Sequence, residues 1–130
     1  ADNLLMQAEA CLALGLEAEA TNYINQVRAR VGLVTVGNYS IQINGVTINN
    51  PTLEQCLRHE RRMELAMEAH RWYDLVRWGN TKAHMEAYQA TESESARSHI
   101  ATFVEGKHEL LPIPTKEIEL NPKLIQNPGY

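Results

Sequence analysis

Acidic and basic side chains that could do chemistry are concentrated in one stretch, His59–Gly79, "HERRMELAMEAHRWYDLVRWG". Carboxylates placed in pairs can act as general acid and base or hold a metal ion. The stretch begins like the metalloprotease motif H-E-x-x-H, but Met63 stands where the motif needs its second histidine. Glu105 and His108 have Glu-x-x-His spacing only once, in a predicted turn. The sequence therefore predicts no catalytic site, no metal and no cofactor, and a protein that is not an enzyme.

The charged groups of this stretch lie among apolar ones when it is drawn as a helix with 100° per residue. The apolar stripe of that helix contains Leu53, Leu57, Met67, Leu75 and Trp78. Glu60, Glu64 and Arg71 fall within the stripe. Because an unpaired buried charge costs several kcal/mol, each of them needs a partner of opposite sign. We therefore expect a long buried helix whose charges are paired inside the protein.

Cations that could neutralise these carboxylates are available nearby. Glu60 and Glu64 are one helical turn apart and repel each other unless a cation lies between them. Arg61, or one of Arg28 and Arg30 in the preceding helix, could supply that cation through its fork of donors. The sequence thus predicts a polar network that joins two helices.

A further pair is available on the same helix, where Glu68 and Arg71 are three residues apart and opposite in sign. We interpret all of these groups as structural rather than catalytic. Replacing Glu64 or Arg71 by Ala is then expected to cost several kcal/mol, because a buried partner would lose its counter-charge.

Helical hairpin spacing precedes the charged stretch. Apolar or small residues recur every three to four positions up to Gly15, and again from about Glu17 to Arg30. With small Ala8 and Ala20 where two helices would cross, this spacing resembles a tetratricopeptide unit, although any packed helical pair shows much of it. The sequence predicts a mainly α fold: this helical hairpin, a long buried helix, a small β-hairpin and an irregular C-terminal tail.

The predicted organisation is one domain over residues 1–130, with a helical hairpin at 1–33, a β-hairpin insertion at 34–52, a long helix at 53–79 and an irregular region at 80–130. Asn44-Gly45 between alternating apolar residues predicts the β-hairpin, and Thr52 is expected to cap the long helix. In the last region we expect a helix near Lys82–Gln89, a short strand in "IATFVEGKHELLPIP", helical turns at "TKEIEL", and a tail anchored by its apolar side chains.

Composition narrows the class of partner. The net charge of −4 argues against nucleic acid, which needs clustered lysine and arginine. No run approaches the roughly 20 apolar residues of a membrane span.

Cys11 and Cys56 could be bridged or simply buried. Helical periodicity already runs by Leu4 without an initiator methionine, which suggests a piece of a longer protein.

Three blocks together resemble the carboxy-terminal portion of the SusD/RagB family: Ala8–Leu33, Leu57–Gly79 and Leu110–Tyr130, in the family's order. The resemblance implies a mainly helical, non-enzymatic lipoprotein on the surface of the bacterial outer membrane. Such proteins bind glycans or other nutrients and cover a TonB-dependent transporter. Their only membrane attachment is a lipid on an N-terminal cysteine that this chain does not contain. The sequence departs from the family at Ala69-His70, where Glu-Gly typically precedes Arg-Trp.

The resemblance also implies that the family's motif residues are architectural. In this chain they are Glu60, Arg61, Arg62, Glu64, Arg71, Asp74 and Arg77. No binding residue carries over, and the local candidates for sugar contact are Tyr39, Asn44 and Tyr88. For the hairpin around Tyr39, a solvent-facing connection is the favoured interpretation over a sugar site. The alternative function is a helical interaction module that docks a transporter or other partner without touching glycan.

Overall fold

A computed structural model describes residues 1–37, 39–43 and 45–130. Its elements are α1 (Asp2–Ala13), α2 (Glu17–Ala29), β1 (Ile41–Ile43), β2 (Val46–Ile48), α3 (Leu53–Glu64), α4 (His70–Arg77), α5 (Thr81–Thr91), α6 (Glu94–Arg97) and α7 (Thr115–Leu120). This mainly helical arrangement with a small β-hairpin confirms the predicted fold class. Within the described ranges, no helix has the length and apolar character needed to cross a membrane.

The chain forms two compact units, Ala1–Trp72 and Tyr73–Tyr130, and the division falls within α4. The first unit contains the helical hairpin, the β-hairpin and α3. The second contains α5, α6, α7 and the tail. One domain over residues 1–130 therefore stays a prediction.

The core of the first unit is the helical hairpin of α1 and α2 with α3 against it. Leu5 and Ala8 from α1 and Ala20 and Ile24 from α2 have no exposed surface, and Leu57 of α3 is 1% exposed. The small Ala8 and Ala20 side chains allow the helix backbones to approach closely, while the larger ones fill the space between them. The predicted hairpin is confirmed.

A glycine ends α1 at the predicted position. Gly15 has φ +75, a left-handed conformation that costs glycine little because it has no Cβ. Its N–H donates to the Leu12 carbonyl at 3.0 Å, and the Leu16 N–H donates to the Cys11 carbonyl at 2.9 Å. These two bonds satisfy carbonyls at the end of the helix and reverse the chain toward α2.

The β-hairpin has the register that a two-residue turn requires. Ile41 pairs with Ile48 and Ile43 with Val46, antiparallel, so the chain reverses between Ile43 and Val46. Only Ile41 of these strands is fully buried, where β1 meets α3. Asn44, one of the candidate sugar contacts, lies outside the described residues.

The helix predicted over 53–79 is two helices, and this is a correction. Thr52 caps α3 as predicted: its hydroxyl accepts from the Gln55 N–H at 3.2 Å, and the Gln55 side chain accepts from the Thr52 N–H at 2.9 Å. The helix ends at Glu64, and α4 begins only at His70. Between them Met67 and Ala69 have φ of +69 and +63, so the right-handed ladder cannot continue through them.

This break invalidates the helical wheel beyond position 64, because the wheel assumes a constant 100° step. Met67, placed on the apolar stripe by the wheel, is fully exposed. Leu57, which precedes the break, is buried as expected. A run of favourable helix formers, "ELAMEA", contains no glycine or proline to mark the interruption.

In the second unit α5 includes the helix predicted near Lys82–Gln89. The predicted strand is wrong, since residues 80–130, all of which the structure describes, contain none. Phe103 is buried as a strand residue would be, but no strand is formed there. Near the end of the same segment, a side chain makes the hydrogen bonds that a neighbouring strand would make. The Gln126 amide accepts from the Ile113 N–H and donates to the Ile113 carbonyl, both at 2.8 Å.

The C-terminal tail is held by polar groups rather than by the apolar ones we expected. Asn127 donates to the Leu111 carbonyl at 2.6 Å, and the Tyr130 hydroxyl donates to the Leu110 carbonyl at 3.0 Å. Ile125, in contrast, is 86% exposed. Side chains can therefore fix an extended tail along a neighbouring segment by hydrogen bonding to its backbone without forming a sheet.

Replacing Ala69 by Gly should stabilise the fold. A non-glycine residue in the left-handed conformation costs about 1–2 kcal/mol, which glycine would not pay. Glycine also raises the entropy of the unfolded chain, and this offsets roughly half of that gain. We therefore expect the free energy of unfolding, measured in urea, to rise by about 0.5–1 kcal/mol. The control is Ala10→Gly on the exposed face of α1, which should lose about the same amount. Destabilisation by Ala69→Gly would contradict the left-handed assignment.

Candidate functional site

The first unit contains a buried ion pair between its second and third helices. Arg28 and Glu60 are 4% and 6% exposed, and Nη1 of Arg28 donates a hydrogen bond to Oε1 of Glu60. Arg28 Nε donates to the Val34 carbonyl at 2.6 Å, and its guanidinium carbon lies 4.0 Å from the centre of the Tyr39 ring. The Tyr39 hydroxyl donates to Glu60 Oε1 at 3.4 Å. One arginine thus joins α2, the following loop and α3.

Local sequence spacing explains why both charges point inward. Val27 and Arg28 lie three and four residues after Ile24, on the inner face of α2. Leu57 and Glu60 have the same relation on α3. Each helix therefore carries its charge at a position that the apolar pattern already directs into the core.

Neighbouring titratable groups are kept in their neutral forms. Burial raises the pKa of the Tyr39 phenol, with a smaller opposing effect from Arg28. Burial also raises the pKa of the Cys56 thiol. Cys56 is buried and unbridged, and Cys11 is likewise unbridged, so the question of a disulfide left open by the sequence is answered. A protonated thiol and phenol beside a closed ion pair are poor nucleophiles.

Two more arginine–carboxylate pairs tie α3 to the helical hairpin. Arg61, whose side chain is 3% exposed, donates to Asp2 of α1 at 3.0 Å. Arg30, whose side chain is 61% exposed, bonds Glu64 at 2.7 Å. Of the cations considered from sequence, Arg28 therefore contacts Glu60 and Arg30 contacts Glu64, while Arg61 turns to Asp2.

The second unit has its own buried carboxylate. Asp74 is 4% exposed, and its Oδ1 accepts from Arg77 Nη2 at 2.9 Å and from Arg77 Nε at 3.1 Å. The Arg77 guanidinium lies 5.0 Å from the Trp78 ring centre. Asp74 and Arg77 both belong to α4, so this contact lies within one helix.

The remaining candidates are placed differently. Arg62 and Glu68 are exposed, and Arg71 is half-buried. Glu68 and Arg71 do not lie on one continuous helix, because Ala69 between them is left-handed and α4 begins at His70. Tyr88 lies on α5 in the second unit, exposed, with a pKa raised by its hydrogen bond to Glu92.

Two hollows lie beside α3 and share His59 and Met63. The smaller, about 280 Å³, has the apolar side chains Val31 and Leu33 on its wall and the Arg28–Glu60 pair at its base. The larger, about 530 Å³, is lined on the described part of its wall by Ser40, Ile41, Gln42, Gly45, His59, Arg62 and Met63. We call the larger one the Arg62 hollow. Its volume is within the range of small-molecule sites.

His59 stands between these hollows, half-buried. Burial lowers the pKa of its imidazole, and the positive charges of Arg62 and Arg28 lower it further, while Glu60 opposes them. His59 is therefore neutral at pH 7 and offers one donor and one acceptor.

The arrangement binds and braces more readily than it reacts. The buried carboxylate is already neutralised, and the buried thiol is protonated. Within the described residues, no group of three or more His, Cys, Asp or Glu is arranged to hold a metal ion. Asp2 is the partner that sequence reasoning missed, because nothing local connects it to a residue 59 positions away.

Breaking the buried pair should cost far more than breaking the surface pair. Glu60→Ala strands Arg28 in the core and should lower the free energy of unfolding by about 3–5 kcal/mol. Glu64→Ala is the matched control; its partner Arg30 is exposed, so the loss should stay below about 1 kcal/mol. This revises the large effect expected for Glu64 from sequence.

Urea unfolding of both variants measures the difference. The double variant Arg28→Met/Glu60→Leu should lose much less than Glu60→Ala, since no charge is then left unpaired. Equal losses in Glu60→Ala and Glu64→Ala would contradict the proposed difference in burial.

Stability should also depend on pH through His59. Its folded-state pKa is lowered, so between the ordinary value near 6.5 and the folded value the unfolded chain takes up a proton that the folded chain does not. Stability is therefore lost as the pH falls below about 6.5. We expect His59→Gln to lose less stability than the parent chain between pH 7.5 and pH 5, measured by urea unfolding. An identical decrease in both proteins would contradict this assignment.

Comparison with known proteins gives relatives over the whole length of the chain. Residues 1–130 match the SusD family. The chain is 34% identical over 134 residues to SusD-like protein P25 of Formosa agariphila, and 44% identical over 131 residues to SusD-like protein P38 of the same organism. Both matches cover 100% of this chain, but only 24% and 23% of those proteins.

Solved structures agree. A SusD superfamily protein from Bacteroides vulgatus superposes with a TM-score of 0.72 at 29% identity, over 98% of this chain and 26% of that one. A SusD homolog from Bacteroides thetaiotaomicron gives 0.68 at 30% identity, over 98% and 25%. The chain thus spans about a quarter of the length of its relatives. With its helical hairpin, its α3 pairs and a match over all 130 residues, the chain belongs to the SusD/RagB family.

Proposed function

We propose that this chain is part of a glycan-binding lipoprotein at the surface of the bacterial outer membrane. The observation that carries the proposal is the family match over every residue, together with the likeness to solved SusD structures. Members of the family bind glycans or other nutrients and are not catalysts. The relatives of this chain are about four times as long as the chain, so the activity proposed is that of the longer protein.

Within that protein, we propose, residues 1–72 act mainly as scaffold. Arg28, Arg61 and Arg30 each link the helical hairpin to α3. Such pairs fix the relation between helices, because each carboxylate must meet its own guanidinium in a set geometry. In this proposal the network predicted from sequence has a structural role and not a chemical one.

The same proposal accounts for partner and location. Attachment would be through a lipid on a cysteine other than Cys11 or Cys56, since Cys56 is buried and both lie within folded helices. The transporter partner is a TonB-dependent outer-membrane protein, as the family resemblance implies.

A second candidate, a docking module without glycan contact, is favoured by one observation. Met6, Leu14 and Leu16 of the helical hairpin are 50%, 75% and 44% exposed. Apolar side chains presented by a helical pair are a common surface for protein partners.

Calorimetric titration with a panel of neutral and acidic oligosaccharides separates the two. A polypeptide of the relatives' length that contains these residues should bind at least one glycan. Its Glu64→Ala variant, which leaves the buried pair intact, should bind that glycan with unchanged affinity.

The opposing result is equally clear. If no glycan in the panel binds while the polypeptide still co-purifies with an outer-membrane transporter, the docking module replaces the glycan-binding proposal. Loss of transporter binding in Leu14→Asp, with glycan binding kept, would assign docking to the hairpin in addition.

A further inference from the structure

We infer that the Arg62 hollow binds a carboxylate-bearing sugar, with Arg62 as the anchor for the carboxylate. That the ligand is a sugar rests on the proposed function. That it is an anion rests on the hollow alone. The hollow, about 530 Å³ in volume, lies between β1 and α3.

The first argument is charge. The chain carries a net charge of −4, yet none of the lining residues that the structure describes has a carboxylate, and one of them is Arg62. Among the residues that the structure describes, Arg62 makes no ion pair, whereas its neighbours Arg58 and Arg61 on the same helix do. An arginine fork matches the two oxygens of a carboxylate.

The second argument is the surrounding hydrogen-bonding groups. Gln42 on β1 presents an exposed side-chain amide, and the Ser40 hydroxyl lies at the same wall, bonded to Asn49 at 2.7 Å. His59 faces them from α3, neutral and half-buried. The amide and the neutral imidazole each donate and accept, and the Ser40 oxygen, whose hydrogen is donated to Asn49, can still accept, as neighbouring sugar hydroxyls require.

The third argument is what lies at the back of the hollow. Met63 is 61% exposed and lines both hollows, so the apolar surface beside Arg62 continues to the Val31 and Leu33 side chains. The apolar wall lets the C–H face of a sugar ring replace water, while the rim carries the polar contacts. A small inorganic anion would leave that wall unused.

Titration of the chain with methyl glucuronide, followed by calorimetry and by amide shifts in NMR spectra, tests the inference. We expect saturable binding, with shifted amides at Gln42, His59 and Met63. Methyl glucoside, the matched neutral sugar, should bind at least about tenfold more weakly, because the charged contact is missing.

Variants identify the anchor. Arg62→Gln should weaken glucuronide binding at least about tenfold, and Arg62→Lys, which keeps the charge but not the fork, should lie between Arg62→Gln and the parent chain. Arg97→Gln, an exposed arginine on α6, makes the same change in net charge and should leave affinity unaltered. Circular dichroism checks that each variant is folded.

Three results would overturn the inference: equal affinity for glucuronide and glucoside, unchanged binding in Arg62→Gln, or binding of inorganic sulfate as tight as that of the glucuronide. These failures are distinct from failure of the proposed function. If the longer polypeptide binds neutral glycans but the hollow takes no uronate, the proposed function stands and this inference does not.

Discussion

The buried pair of Arg28 and Glu60 is the interaction on which the first unit depends. Two charges cannot leave water unless each finds its partners at once, and here the partners come from three segments of chain. The Val34 carbonyl and the Tyr39 ring complete the environment of the guanidinium. Because no segment can satisfy this arginine alone, α2, the loop after it and α3 have one mutual arrangement in which the charges are compensated. We expect the pair to contribute specificity of arrangement more than net stability.

Helix α3 serves two purposes with two faces. Its inner face carries Leu57, Glu60 and Arg61, which are buried and joined to the helical hairpin. Its outer face carries His59 and Arg62, which border the Arg62 hollow. A helix held by buried ion pairs keeps outward side chains at fixed positions, so bracing on one side is a precondition for recognition on the other. In this way the scaffold role and the inferred sugar-acid site are compatible.

The break after Glu64 limits how far the pairing on α3 extends. Left-handed residues at Met67 and Ala69 end one helix and start another, and the carboxylate of Asp74 finds its arginine within α4 instead. The charged stretch that looks continuous in sequence is thus divided between two helices. Backbone strain of the kind seen at Ala69 persists only where surrounding packing stabilises it.

Local sequence determined much of this protein. The Gly15 stop, the Thr52 cap, the hairpin turn before Val46 and the inward position of Glu60 all follow from spacing within a few residues, and all were predictable. Tertiary structure alone decided which arginine met which carboxylate, that Arg61 would reach Asp2, and that the chain would turn at Ala69. Those outcomes depend on residues brought together from distant positions. For each of them the local sequence allowed several alternatives of similar energy. Short-range patterns assign a side chain to the interior, but only the packed fold selects its partner.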